Sequence, residues 1–167
     1  MTAGFVGLGQ IGAPMARRVA AAMPLVVFDV AEQAIAALVK VGAQAAPTLA
    51  SLAERCDVVC VMVNTDEQVR SVVAEMAPHL REGAVVVIHS TVGRSTAEEL
   101  ADQLSTRGVA VLDAPVSGGA MGAANGTLAL LVGGDQSAMD RAEPVLSTFG
   151  AKIVRFGPVG AGTKAKL

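Results

Sequence analysis

The sequence predicts an α/β fold of the doubly wound kind, with a mostly parallel sheet, and three observations carry that expectation. Short apolar runs alternate with stretches whose apolar residues recur every three or four positions, the pattern of strands and amphipathic helices taken in turn. Several runs are apolar at nearly every position, as strands covered on both faces must be. The chain is 52% apolar yet holds no Trp or Tyr, so small and β-branched side chains must fill its core, which suits packed layers of strand and helix. At 167 residues, one domain is expected, long enough to bury roughly two-thirds of its unfolded surface.

The first strand is expected at 3–6 (AGFV), followed by a helix whose Ala16, Val19, Ala20 and Met23 fall at i, i+3, i+4 and i+7. A second strand follows at 25–30 (LVVFDV), and a further short one at 43–46. The run 57–63 (DVVCVMV) precedes a helix with Val69, Val72, Val73 and Met76 on one face. The run 84–89 (AVVVIH) precedes another with Ala97, Leu100, Ala101 and Leu104. Strands at 109–113 (VAVLD), 128–132 (LALLV) and 152–156 (KIVRF) complete the set. Gly83, Gly108 and Gly150 stand at helix-to-strand returns, where a left-handed cap is useful. Near the end, "GPVGAG" leads into a new helix, which divides the chain into a domain over 1–160 and the start of a further helix over 161–167.

The chemistry begins at the first turn. "GFVGLGQIG" sets Gly7, Gly9 and Gly12 in the spacing G-x-G-x-x-G, after a strand and at the opening of a helix. Gly7 permits the tight turn, Gly9 lets a pyrophosphate approach the backbone, and Gly12 lets the helix pack on the strand. With Leu8, Gln10 and Ile11, these residues are expected to hold a dinucleotide against open N–H groups. Asp29 lies 17 residues beyond Gly12, at the tip of the second strand. There it would accept hydrogen bonds from the adenosine ribose and repel a 2′-phosphate, which favours NAD over NADP; Val30 follows it at the same edge. The competing reading of Asp29 is a cap on the next helix. Ligands of open α/β sheets bind beyond the carboxyl ends of strands, which adds Val63, Asn64, Thr65, Ser90, Thr91 and the segment 115–119 as candidates. Thr65 with Gln68 also reads as a helix capping box.

Other chemistries find little support. Net charge is −2 and no basic run or aromatic platform is present, so nucleic acid is not an expected partner. No apolar run approaches the roughly 18 residues of a membrane helix. "RRVAAAMPLVVF" has the look of a twin-arginine signal, but its arginines fit the first helix better. Cys56 and Cys60 are too few for a disulfide framework and read as buried thiols in a reducing cytoplasm. His79 and His89 have no neighbours at metal-ligand spacing. His79 reads as a surface residue, His89 has no assigned role, and no metal is expected.

Four motifs together resemble the β-hydroxyacid dehydrogenase family, typified by 3-hydroxyisobutyrate dehydrogenase and related to 6-phosphogluconate dehydrogenase: "GFVGLGQIGAPMA", "HSTV", "DAPVSGGAMGAANGTL" and "GAGTKAK". The resemblance spans nearly the whole chain and implies a Rossmann-type fold. It places Thr91 near the nicotinamide, with Val63 and Asn64 along the middle of the cofactor. It makes Ser117, Gly118 and Gly119 the holders of a substrate carboxylate, an arrangement in which successive N–H donors form an anion nest. It also implies a catalytic lysine six residues after the first glycine of "GAG", which is Lys166. Lys164, two residues earlier, would point to nearly the opposite side of a helix and reads as a solvated charge.

The resemblance implies NAD-dependent oxidation of a small 3-hydroxy acid, with lysine as acid and base. Reductases of tartronate semialdehyde, glyoxylate or succinic semialdehyde are the alternative within the class. Those relatives usually favour NADPH and place an arginine after the second strand, where this chain has Asp29-Val30-Ala31. Imine reductases share the fold but generally lack the lysine. The family continues past the lysine into an all-helical second domain that closes the site and builds a homo-oligomer. The chain ends at Leu167, so an isolated cofactor domain is expected, whether truncated or from an incomplete gene product. A binding module without catalysis is the reading from another class. A terminal helix of one turn is marginal alone, so residues 158–167 are expected to be poorly fixed or packed on another molecule.

Overall fold

A computed structural model describes residues 1–167. The elements run β1 (Ala3–Val6), α1 (Gly12–Ala22), β2 (Leu25–Phe28), α2 (Glu32–Val39), β3 (Gln44–Ala45), α3 (Leu49–Arg55), β4 (Val58–Val61) and α4 (Asp66–Met76). After a 3-10 turn at Ala77–His79 come β5 (Val85–Ile88), α5 (Arg94–Ser105), β6 (Ala110–Asp113), β7 (Val116–Ser117), α6 (Gly119–Asn125), β8 (Leu128–Gly133), α7 (Gln136–Leu146), β9 (Gly150–Gly157) and α8 (Ala161–Lys166).

Six strands lie parallel in the order β3-β2-β1-β4-β5-β6, the order of a Rossmann sheet with its switch point between β1 and β4. Their apolar runs are explained by burial on both faces. In β5, Val85 and Val87 enter a cluster of 26 buried residues on one side, while Val86 and Ile88 enter a cluster of 22 on the other. Helices α1 and α7 supply the first layer, and α3, α4 and α5 the second. On α1, Met15, Ala16 and Val19 are the buried apolar positions; on α5, Ala97, Leu100 and Leu104 are.

The far edge departs from the parallel rule. β8 runs antiparallel to β6 and β7, and β9 then pairs parallel to β8. β7 is a two-residue continuation of β6 past Ala114 and Pro115 that the apolar pattern does not reveal. Only the first four residues of the expected 25–30 run are strand, so Asp29 and Val30 lie beyond its end. β9 is longer than expected and lies at the sheet edge, with Lys152 and Arg155 exposed along it, charges of the kind that discourage edge-to-edge pairing. Gly83 and Gly108 do adopt positive φ (86° and 69°). Gly150 does not; it begins β9, where a Cβ would stand 3.1 Å from the Leu146 carbonyl and closer still to Leu130 Cδ1.

The chain's end is not loose. α8 packs on β8, with Gly162 and Thr163 buried, and its first turn is bonded to the side chain of Asp113. The expectation of poorly fixed final residues weighed only local helix stability; a buried carboxylate about 50 residues earlier supplies what the short helix lacks.

Candidate functional site

The glycine turn after β1 is shaped by close approach. Gly7 has φ 95°, and a Cβ on it would lie inside the Met62 carbonyl; one on Gly12 would lie inside the carbonyl of Gly7. Gly9 is different, since a Cβ there would meet nothing within 4 Å. That open space is where a bulky anion can reach the backbone. The N–H groups of Gly9, Gln10 and Ile11 donate to no group of the chain, and α1 begins with no side-chain cap and no acid in its first turn. A helix start left this bare suits a phosphate.

Asp29 is tied to this turn. One carboxylate oxygen accepts from the Leu8 N–H at 2.6 Å and the other from the Ala31 N–H at 2.7 Å. It does not cap α2, whose first turn receives no side-chain bond. Each oxygen keeps a lone pair, and the half-buried group faces the same strand edge as Gly9. Val30 beside it is 94% exposed.

The ends of β4 and β5 are joined side by side. The Val63 N–H donates to Ser90 Oγ at 2.9 Å. Thr65 caps α4 in a full capping box with Gln68, whose side-chain oxygen also accepts from the Asn64 N–H at 2.9 Å. Asp66 accepts from the Gly93 N–H at 2.9 Å and from Thr96 Oγ1 at 2.6 Å, which ties the start of α4 to the loop that exposes Thr91. Those bonds, the one from Thr96 foremost, hold the Asp66 carboxyl below the usual carboxylate range. Ser90 and Asp66 act here through contacts across the sheet, which no local spacing announces.

Beyond β6, Ser117, Gly118 and Gly119 are exposed at the turn into α6, with φ 132° and 64° at the two glycines. Lys166 reaches that turn, its Nζ donating to the Val116 carbonyl at 2.5 Å. Lys164 is exposed, and its ammonium donates to no side chain or carbonyl. His89 is buried and lies between Phe5 and Phe149, with ring centroids 6.4 and 5.4 Å away. Its Nδ1 bonds the Ala114 carbonyl at 2.8 Å, while Nε2 has no partner. Burial pushes its pKa down to about 4, against the opposing pull of that hydrogen bond.

Gly9, Asp29, Asn64, Thr91 and Ser117 thus all stand past the carboxyl ends of the parallel strands, and Lys166 joins them through its bond to Val116. Fold and glycine turn together define a dinucleotide-binding domain of the Rossmann class. The family model for the NAD binding domain of 6-phosphogluconate dehydrogenase matches residues 2–157, and the chain belongs to that family. It is 43% identical to an uncharacterized oxidoreductase of Mycobacterium tuberculosis, over 98% of this chain and 57% of that protein. It is 39% identical to the NAD-dependent L-serine dehydrogenase of Pseudomonas aeruginosa, over 98% and 56%. A solved structure of Mycobacterium tuberculosis 3-hydroxyisobutyrate dehydrogenase with L-serine superposes with a TM-score of 0.95 at 37% identity, over 99% of this chain and 57% of that one. The chain therefore spans a little over half the length of these relatives.

Proposed function

We propose that this chain is the cofactor-binding part of an NAD-dependent dehydrogenase acting on a small 3-hydroxy acid. The observation that carries the reading is Lys166 Nζ against the Val116 carbonyl, which sets a cation beside the Ser117-Gly118-Gly119 turn on the edge that also bears the glycine loop. In this reading Gly9, Gln10, Ile11 and Gly12 bind pyrophosphate through their N–H groups, and Asp29 accepts the ribose hydroxyls while opposing a 2′-phosphate. Leu8 and Val30 flank the adenosine, Val63 and Asn64 line the middle of the cofactor, and Thr91 borders its nicotinamide, which supplies the hydride acceptor. Ser117 and the N–H groups of Gly118 and Gly119 hold the substrate carboxylate. Lys166, unprotonated, takes the hydroxyl proton as hydride leaves the same carbon; in reverse its ammonium returns that proton to the carbonyl oxygen. The division of the chain at residue 160, with α8 as the start of an interdomain helix, belongs to the same reading.

Two relatives support the substrate class. L-serine and 3-hydroxyisobutyrate, the compounds in their names, share a primary alcohol two carbons from a carboxylate. The Asp29-Val30-Ala31 stretch offers no cation to a 2′-phosphate, which weighs against the NADPH-linked semialdehyde and glyoxylate reductases.

Calorimetric titration of the chain should show NAD binding more tightly than NADP, and Asp29→Ala should narrow the gap, mainly by weakening NAD. Equal or tighter NADP binding by the unaltered chain overturns the role given to Asp29. In a chain extended to the relatives' length, Lys166→Ala should lower kcat by about 10²–10⁴-fold and Lys164→Ala far less, with NAD affinity nearly unchanged in both. The same small effect from both substitutions would remove Lys166 from the chemistry. NAD binding without turnover in the extended chain would favour a pure binding module.

A further inference from the structure

Asp113 is the one carboxylate in the chain with no exposed surface, and no lysine or arginine pairs with it. An ionised carboxylate taken out of water is costly unless its oxygens are bonded. Here Oδ1 accepts from the Gly160 N–H and Oδ2 from the Thr163 N–H, each at 2.7 Å. Those donors are the N-cap Gly160 and Thr163 in the first turn of α8, where helix N–H groups have no internal partner and carry partial positive charge. The buried acid and the open helix start therefore satisfy each other across 47 and 50 residues of chain.

The same short stretch grips α8 a second time. Three residues after Asp113, the Val116 carbonyl accepts from Lys166 Nζ. Residues 113–116 thus hold the helix by a side chain at its start and by a carbonyl near its end. The stretch is itself anchored to β5, through the Ala114 N–H on the Ile88 carbonyl at 2.8 Å and through His89 on the Ala114 carbonyl. The two bonds from Asp113 set where α8 begins and the direction in which it leaves the sheet, and that direction decides where the base of the Lys166 side chain stands.

We propose that Asp113 is the positioning residue for Lys166: by bonding the first turn of α8 it aims the ammonium at the Val116–Ser117 peptide. The proposal rests on the reading of Lys166 as acid and base given above. Asn in place of Asp113 keeps the shape but sets an N–H₂ against one of the two N–H donors. Glu cannot substitute, because Gly133 stands against Oδ1 so closely that even a Cβ there would collide with it.

Two measurements test it. In the 167-residue chain with lysines labelled as ¹³C-dimethylammonium groups, Lys166→Ala assigns the Lys166 signal, which should differ from that of solvated Lys164. In folded Asp113→Asn it should move to the Lys164 position; an unmoved signal overturns the proposal. In the chain extended to the relatives' length, assayed with NAD and either L-serine or 3-hydroxyisobutyrate, Asp113→Asn should lower kcat per folded molecule at least about tenfold. Its KM for NAD should change by less than about twofold. Adding Asp113→Asn to Lys166→Ala should cost nothing more, because the first acts only through the second. A purely structural role would lower thermal stability while leaving kcat per folded molecule intact, or would multiply the two losses, and either result overturns the proposal. If Lys166→Ala leaves kcat intact, the catalytic reading falls and the proposal with it, and a lysine signal that still responds to Asp113→Asn distinguishes that case from failure of the clamp. Should Asp113→Asn not fold, amide exchange in the unaltered chain decides: Gly160 and Thr163 must be protected, and exchange as fast as at an open helix end overturns the proposal.

Discussion

Asp29 and His89 each follow the last residue of a core strand, β2 and β5, and burial makes them opposites. Asp29 keeps lone pairs at an open edge and remains available to a ligand. His89 is sealed between two phenylalanines and its Nε2 has no partner, so a proton there would be a buried charge without compensation. Its folded pKa of about 4 lies below the ordinary 6.5, so the unfolded chain binds more protons between those values. Its contribution to stability is complete above pH 6.5 and is lost as pH falls toward 4, up to roughly 3 kcal/mol. Urea midpoints measured from pH 7 to pH 4 should fall more steeply in the wild type than in His89→Gln; parallel curves would show that His89 does not titrate this way. Gly7 makes the second prediction at this scale. Ala there must hold a positive φ and push against the Met62 carbonyl, so Gly7→Ala should cost at least about 2 kcal/mol in chemical denaturation.

Among the elements, α4 was readable to its first residue. Thr65 and Gln68 are three apart and both bonds of the capping box form; such a motif is legible because it needs no partner outside its own turn. Thr65→Ala should cost about 1 kcal/mol, a fall of roughly 2–4 °C in Tm for a chain of this size. Glu99→Gln, which breaks the Arg70–Glu99 pair, should change stability by less than about 0.5 kcal/mol, since both side chains are about half exposed. If Glu99→Gln costs more than Thr65→Ala, the ranking of cap over surface pair is wrong. β7 shows the other limit. Two residues carry no periodicity, and Val116–Ser117 becomes strand only because β8 arrives beside it.

For the whole molecule, two apolar layers on one sheet leave both thiols inaccessible. Cys56 and Cys60 are free and buried on opposite sides of that sheet. Burial pushes the Cys56 thiol up to about 12 and raises Cys60 as well, so neither forms a thiolate near neutral pH. A thiol reagent at pH 8 should leave the native protein unlabelled and modify both cysteines together as urea unfolds it. Cys56 reacting early would mean that α3, whose C-cap is Cys56, opens apart from the rest.

What the sequence determined by itself was whatever depends on near neighbours or on burial alone. The strand runs, the amphipathic helices, the G-x-G-x-x-G turn and the acid after β2 follow from periodicity, from the sterics of glycine and from the end of an apolar run. The tertiary structure decided what depends on direction and on distant pairing. An apolar strand reads the same in either sense, so only packing shows that β8 runs against β6. Asp113 reads as one more acid after an apolar run, like Asp29. Its partners lie about 50 residues away at the start of α8, and no local pattern links the two, because what joins them is the cost of leaving a charge and a helix end unbonded out of water.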